Sequence, residues 1–182
     1  MKNNKGFSLV ELIIVIAIMA VLVGVLAPTY LQYVEKSKKS NDVSTIDSIV
    51  NACEIGAIDP EVMTDPTLQL IITVDGSQMS IEAKKANTDD DADPDSLVTM
   101  DPNTETSQWQ KMVEAAVGSG SDVHLKSTNW AATSAGTANT VVITATRNIA
   151  TGKVDFTYGT NTAGNSTADS FKTYATSLSK IS

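Results

Sequence analysis

Cysteine occurs once in these 182 residues, and histidine once. The lone Cys53 excludes an intramolecular disulfide, and together with the lone His124 it excludes a Cys/His metal-ligand spacing. No phosphate-cradling glycine loop is present, and no Ser/His/Asp set can be argued from residue order. The sequence therefore makes no case for an enzyme and implies no cofactor. Basic side chains are also scarce, 13 against 21 acidic, for a net charge of −8. Phosphate contacts need clustered Lys or Arg, so nucleic acid is excluded as the main partner. Aromatic residues make up only 5% of the chain, and apolar residues are concentrated at one end.

From Phe7 to Ala27 only Ser8 and Glu11 are polar, and from Leu12 to Ala27 no side chain is. A helix of this length spans about 31 Å at ~1.5 Å per residue, which matches a bilayer core of about 30 Å. Lys2 and Lys5 precede the run and favour a cytoplasmic N-terminus with the remainder facing outward. An ordinary secretory signal is a poor match. The apolar run is too long, and the small residue Gly6 comes before it rather than after it. Val25-Leu26-Ala27 imitates a signal-peptidase site only loosely, because Pro28 would follow the cut.

Glu11 is the anomaly. An ionised Glu in hydrocarbon costs about 3 kcal/mol on insertion scales. It lies about one helical turn beyond Phe7, where the N-terminal end of a helix favours an anion. In an apolar assembly a carboxylate is tolerated when paired. At a headgroup boundary it would simply be hydrated.

The run Lys5-Gly6-Phe7-Ser8-Leu9-Val10-Glu11-Leu12, followed by an apolar helix, resembles the class III signal of type IV pilins and pseudopilins. The likeness covers roughly the first 35 residues. It implies that a prepilin peptidase cuts between Gly6 and Phe7 and methylates the new Phe7 amine. It also implies that the helix stays on the protein, as a membrane anchor and then as a filament core. Glu11 would there meet the Phe7 amine of a neighbouring subunit. The resemblance implies an α+β fold, with one long N-terminal helix packed on a small antiparallel β-sheet head. Pilins of this family often close a C-terminal loop with a disulfide. The single cysteine departs from that pattern and suits the Gram-positive type better.

Gly24 and Pro28 are a second feature of the run. Proline removes one helical hydrogen bond and crowds the carbonyl four residues earlier, which here belongs to the weak helix former Gly24. The bland reading is a modest kink in an anchor helix. The reading the resemblance favours is a turn that melts when the subunit leaves the bilayer. Lys36, Lys38 and Lys39 follow, and suit lipid headgroups, neighbouring acidic subunits or plain solvent equally.

Val43, Ile46, Val50 and Cys53 step by 3, 4 and 3, with Ile49 beside them, which makes one helical face. Asp42, Asp47 and Ser48 fall off it. One helix is expected from Ser8 to Ile55, stopped by Gly56, with Cys53 as a small buried hydrophobe. Asp59 to Pro66 reads as a connection. Leu68–Val74 and Ser77–Glu82 read as a hairpin turning at Asp75-Gly76, with a short helix at Leu68 as the alternative. Ser107–Val117 reads as a short helix with Trp109 turned inward. Val123–Lys126, Val141–Thr146 and Val154–Tyr158 read as strands, with His124 structural in the first. Phe171, Tyr174, Leu178 and Ile181 suggest a terminal helix. Between residues 87 and 102 lies an acidic loop. Its Asp89, Asp91, Asp93 and Asp95 are a weak Ca²⁺ candidate, because no register supplies the Gly and Glu of an EF-hand. A solvated loop is the plainer reading.

The expected organisation is a leader at 1–6, a transmembrane or filament-core helix at 7–28, its amphipathic continuation at 29–56 and a head at 57–182. Leader removal would take away Lys2 and Lys5, leaving 11 basic and 21 acidic side chains and a net charge of −10. The expected function is a pilus subunit serving adhesion, aggregation or motility. Its partners would be copies of itself, the prepilin peptidase, the assembly platform with its ATPases, and the cytoplasmic membrane before export to the cell surface. The alternatives are a pseudopilin of a secretion or DNA-uptake machine, and an anchored surface binding protein that never polymerises.

Overall fold

The computed structural model describes residues 7–88, 96–102, 105–127 and 140–159. The chain divides into two units, Met1–Ser37 and Lys38–Ser182. Helix α1, Leu9–Ala57, is the spine expected from the sequence, and Pro28 lies within it. In the first unit every side chain from Phe7 to Tyr33 is exposed. In the second, α1 buries Val43, Ile46, Ile49, Ala52 and Cys53. Ile49 sits at the centre of this stripe, and Val50 flanks it half-buried.

Gly56 does not stop the helix, which runs on to Ala57. It is a packing position instead. A Cβ there would stand 3.1 Å from Cδ1 of Trp109. The indole N–H of Trp109 donates to the Cys53 carbonyl at 3.0 Å. The ring therefore needs the bare glycine face, and overpacking of that kind costs about 1–3 kcal/mol. The segment expected as a plain connection contains a one-turn helix, α2, Pro60–Met63, capped by the Asp59 carboxylate.

Strands β1, Thr67–Val74, and β2, Met79–Ala86, form the expected hairpin, longer than the sequence pattern suggested. Asp75 sets the turn by accepting from the Ser77 and Gln78 amides. Strands β3, Leu97–Thr99, β4, Val141–Arg147, and β5, Val154–Gly159, complete one sheet in the order β3-β2-β1-β4-β5, antiparallel throughout. Leu70, Ile72 and Val74 of β1 align with Ala145, Ile143 and Val141 of β4. With Ala83 and Met79 of β2 they make the face that buries the α1 stripe. Helix α3, Gln108–Val117, starts at an N-cap Ser107 and adds Trp109 and Val113 to the core.

The strand expected at Val123–Lys126 is absent. Val123, Leu125 and Ser127 are buried in alternation, which is why the sequence there reads as a strand. The amides, however, go elsewhere. Leu125 N–H donates to the Asp75 carbonyl, while the Lys126 and Ser127 amides donate to the Asp42 carboxylate at 2.7 and 2.9 Å. A segment whose donors are taken by a side chain cannot join a ladder. Asp42, which the helical pattern placed off the apolar face, is for the same reason fully buried. His124 is thus a loop residue, half-buried, with Nδ1 3.1 Å from the Ser121 carbonyl. The expected terminal helix lies outside the described residues.

Candidate assembly site

The first turn of α1 gives Glu11 a local partner. The Ser8 amide donates to Glu11 Oε2 at 2.9 Å. With Ser8 just outside the helix and Glu11 three residues on, this is half of a capping box, in which an acid in the first turn satisfies an otherwise orphaned N–H. The Ser-x-x-Glu spacing stands in the sequence, but it marks a cap only once the helix is known to begin at Leu9. Among the described residues Oε1 makes no contact of this kind. Phe7 is 94% exposed, and Gly6 lies outside the described residues.

Beyond Glu11 the helix presents Leu12 through Leu26 to the surroundings with no protein cover. Each such aliphatic side chain gains about 1.5–3 kcal/mol on leaving water, so this surface demands either lipid or another apolar partner. Among the described residues it is the one helix long and apolar enough to cross a membrane. Gly24 stands in open space, and the helix passes Pro28 without a break.

The second unit has a polar cluster that the sequence pattern did not reveal. The Asp65 carboxylate accepts from the Thr67 hydroxyl at 2.6 Å, the Thr67 amide at 2.9 Å and the Trp109 amide at 3.0 Å. It also accepts from the Gln108 amide, so it caps α3 from 43 residues away. Burial pushes the carboxyl up, but the hydrogen bonds from Thr67, Trp109 and Gln108 outweigh it and hold the group below its ordinary value. Buried Arg147 donates to the Asp65 and Thr67 carbonyls at 2.7 Å and to the Val62 carbonyl, and lies 5.5 Å from the Trp109 ring centroid. A bulge in β1 between Thr67 and Gln69 accompanies this arrangement. These groups fasten α2, α3 and β1 together. Their partners are main-chain atoms, one another, the Ser107 hydroxyl and the Met100 sulfur, which suits scaffolding rather than catalysis.

Cys53 is buried, and its thiol is pushed up to about 12, first by burial and then by Glu54, as an inert core residue. Asp89, Asp91, Asp93 and Asp95 fall outside the described residues. Among the described residues no group of three or more His, Cys, Asp or Glu is placed to hold a metal.

An exposed apolar helix with an acid in its first turn, continuing into a helix packed on an antiparallel sheet, is a type IV pilin-like architecture. Residues 1–27 match the model of the prokaryotic N-terminal methylation motif, the type IV pilin signal. Two curated relatives, both described as fimbrial proteins of Pseudomonas aeruginosa, are each 37% identical over 54 residues. Each match covers 30% of this chain and about a third, 35%, of the relative's own length. No solved structure matches. Proteins of the fimbrial family are structural rather than enzymatic. The assignment to a Gram-positive type finds no support in these matches.

Proposed function

We propose that this chain is the structural subunit of a type IV pilus and polymerises through α1 into a surface filament. The observation that carries the reading is the uncovered apolar surface from Phe7 to Ala27 with one acid in its first turn. Lipid covers that surface in the precursor, and other copies cover it in the filament. Residues 1–6 are the leader, removed by a prepilin peptidase between Gly6 and Phe7, with methylation of the Phe7 amine. Residues 7–28 are the anchor and then the filament core, 29–56 the amphipathic continuation, and 57–182 the head. Glu11 keeps one oxygen on its own Ser8 amide and offers the other to the Phe7 amine of a neighbour, which selects register. Gly24 and Pro28 mark the turn that melts on transfer from bilayer to filament. The assembly platform and its ATPases drive that transfer. The finished filament serves adhesion, aggregation or surface motility.

The test is the N-terminal peptide mass of the chain sheared from the cell surface. A methylated Phe7 start is expected, in material that forms filaments by electron microscopy. A start at Met1 leaves a plain anchor, and a start near Pro28 leaves a secreted head. Either removes Glu11 from the mechanism.

A further inference from the structure

Because Val123, Leu125 and Ser127 are buried in alternation, the side chains between them are left on the outer side. Those are Asp122, His124 and Lys126, and all three line a half-open cleft of about 340 Å³. Thr45 and Ser48 of α1 form its opposite wall, and the last turn of α3 closes one end. Small-molecule sites are typically about 300–1,000 Å³. Every residue lining the cleft belongs to the second unit.

The two ends of the cleft differ in charge. Asp122 stands at the end of α3, its Cβ 3.6 Å from the place a Cβ on Gly118 would take. The last carbonyls of a helix lack intrahelical partners and carry a partial negative charge. This end therefore suits a cation. At the other end the Lys126 amide is fastened to the Asp42 carboxylate of α1, and the side chain brings an ammonium group. Among the described residues no ion pair involves Asp122 or Lys126. Four residues of chain span at most about 14 Å, a gap that the flexible lysine stem can shorten.

Between the ends the cleft offers acceptors. The Thr45 hydroxyl donates to the Asn41 carbonyl at 3.1 Å, and the Ser48 hydroxyl to the Ser44 carbonyl at 2.9 Å. Each oxygen keeps its lone pairs for the donors of a ligand. His124 Nδ1 is 3.1 Å from the Ser121 carbonyl, which can only accept. Nδ1 therefore carries a proton, and in the neutral ring Nε2 is a further acceptor. A fitting ligand has a cation at one end, an anion at the other, and donors of its own between them.

We propose that this cleft binds a free amino acid with a hydrogen-bond-donating side chain, such as glutamine. Its ammonium group lies against Asp122 and the α3 carbonyls, and its carboxylate meets Lys126. Its side-chain donors face Thr45, Ser48 and His124. The site adds small-molecule recognition to a structural chain, and it does not depend on polymerisation.

His124 is the single histidine, so its imidazole proton signals report on the cleft alone. The full-length chain in detergent micelles is titrated with L-glutamine and followed by those signals. A saturable shift with a Kd of about 1 mM is expected, as for a small ligand in an open cleft. N-acetylglutamine lacks the ammonium group, glutaminamide the carboxylate and norleucine the side-chain donors. Each should bind about tenfold more weakly, the worth of one charge-assisted hydrogen bond or a pair of neutral ones. Asp122→Asn and Lys126→Gln should each weaken glutamine about tenfold and leave the head's thermal unfolding unchanged. Asp122→Asn should weaken N-acetylglutamine no further, because both changes remove the same contact. Absence of saturation at about twentyfold the expected Kd would overturn the site. So would equally tight binding of N-acetylglutamine or glucuronate, since the cleft would then recognise an anion alone. Should either variant fail to fold, the ligand series on the unaltered chain still decides.

Discussion

The two ends of α1 share a backbone conformation and almost nothing else. From Phe7 to Tyr33 no side chain is buried, although nearly all are apolar up to Ala27. From Asp42 to Ala57 even an aspartate is buried, because loop amides satisfy it. Hydrophobicity alone thus does not say where burial occurs inside one chain. Among the described residues, the first stretch has apolar surface with nothing to cover it. The second has a sheet whose register supplies a matching face. One is finished on folding, and the other leaves apolar surface that calls for lipid or another apolar partner.

That contrast can be broken from either side. The largest effect is expected from Glu11→Ala, which should reduce sheared filament to background while leaving processing at Gly6 and the unfolding of the head untouched. Filament yield and head melting are measured on the same variant, and a normal yield would sink the assembly role of Glu11. Trp109→Ala acts on the other side. It removes the fully buried ring over Gly56 and should cost about 3–5 kcal/mol in denaturant unfolding. Against a typical domain stability of about 5–15 kcal/mol, that change leaves a marginal head.

A smaller effect distinguishes the head by pH. Asp65 is held below the ordinary aspartate value of 3.8, so its contribution to stability is fully present above that value. It is lost as pH falls through the lower folded value. Asp65→Asn should therefore lower stability at neutral pH and flatten the decline below about pH 4, read from melting curves across that range. The smallest effect is expected from Gly24→Ala. No atom lies within 4 Å, so nothing clashes, and the helix gains about 0.5–1 kcal/mol at that turn. If the turn must melt, filament yield falls modestly while head melting stays fixed. An unchanged yield favours the plain kink.

How much of this was legible in the sequence follows the same division. The apolar run, the length of α1, the β1–β2 hairpin, α3, β4 and β5 all announce themselves by period. These are local patterns, and burial reinforced them. The loop at 123–127 has the period of a strand and fails to be one, because Asp42 claims its amides from 84 and 85 residues away. Gly56 has the look of a stop and instead accommodates an indole. Strand β3 is only three residues long, too short to show an alternation. The Asp65–Arg147 cluster joins residues 82 apart, and no one-dimensional pattern marks such a pair. At the assembly site the residue type of Glu11 was readable from its cost in lipid, whereas its bond to Ser8 needed the helix start to be placed.

Apart from the Thr67 and Ser107 hydroxyls and the Trp109 ring, the polar fasteners of the second unit grip main-chain atoms. Asp42 takes the amides of residues 126 and 127. Arg147 takes the carbonyls of residues 62, 65 and 67, and Asp65 takes the amides of 108 and 109. Exposed positions at those points, such as Lys126 and Gln108, can change chemistry without loosening the frame. The outer lettering of the head can thus be rewritten while the clasps beneath it stay shut.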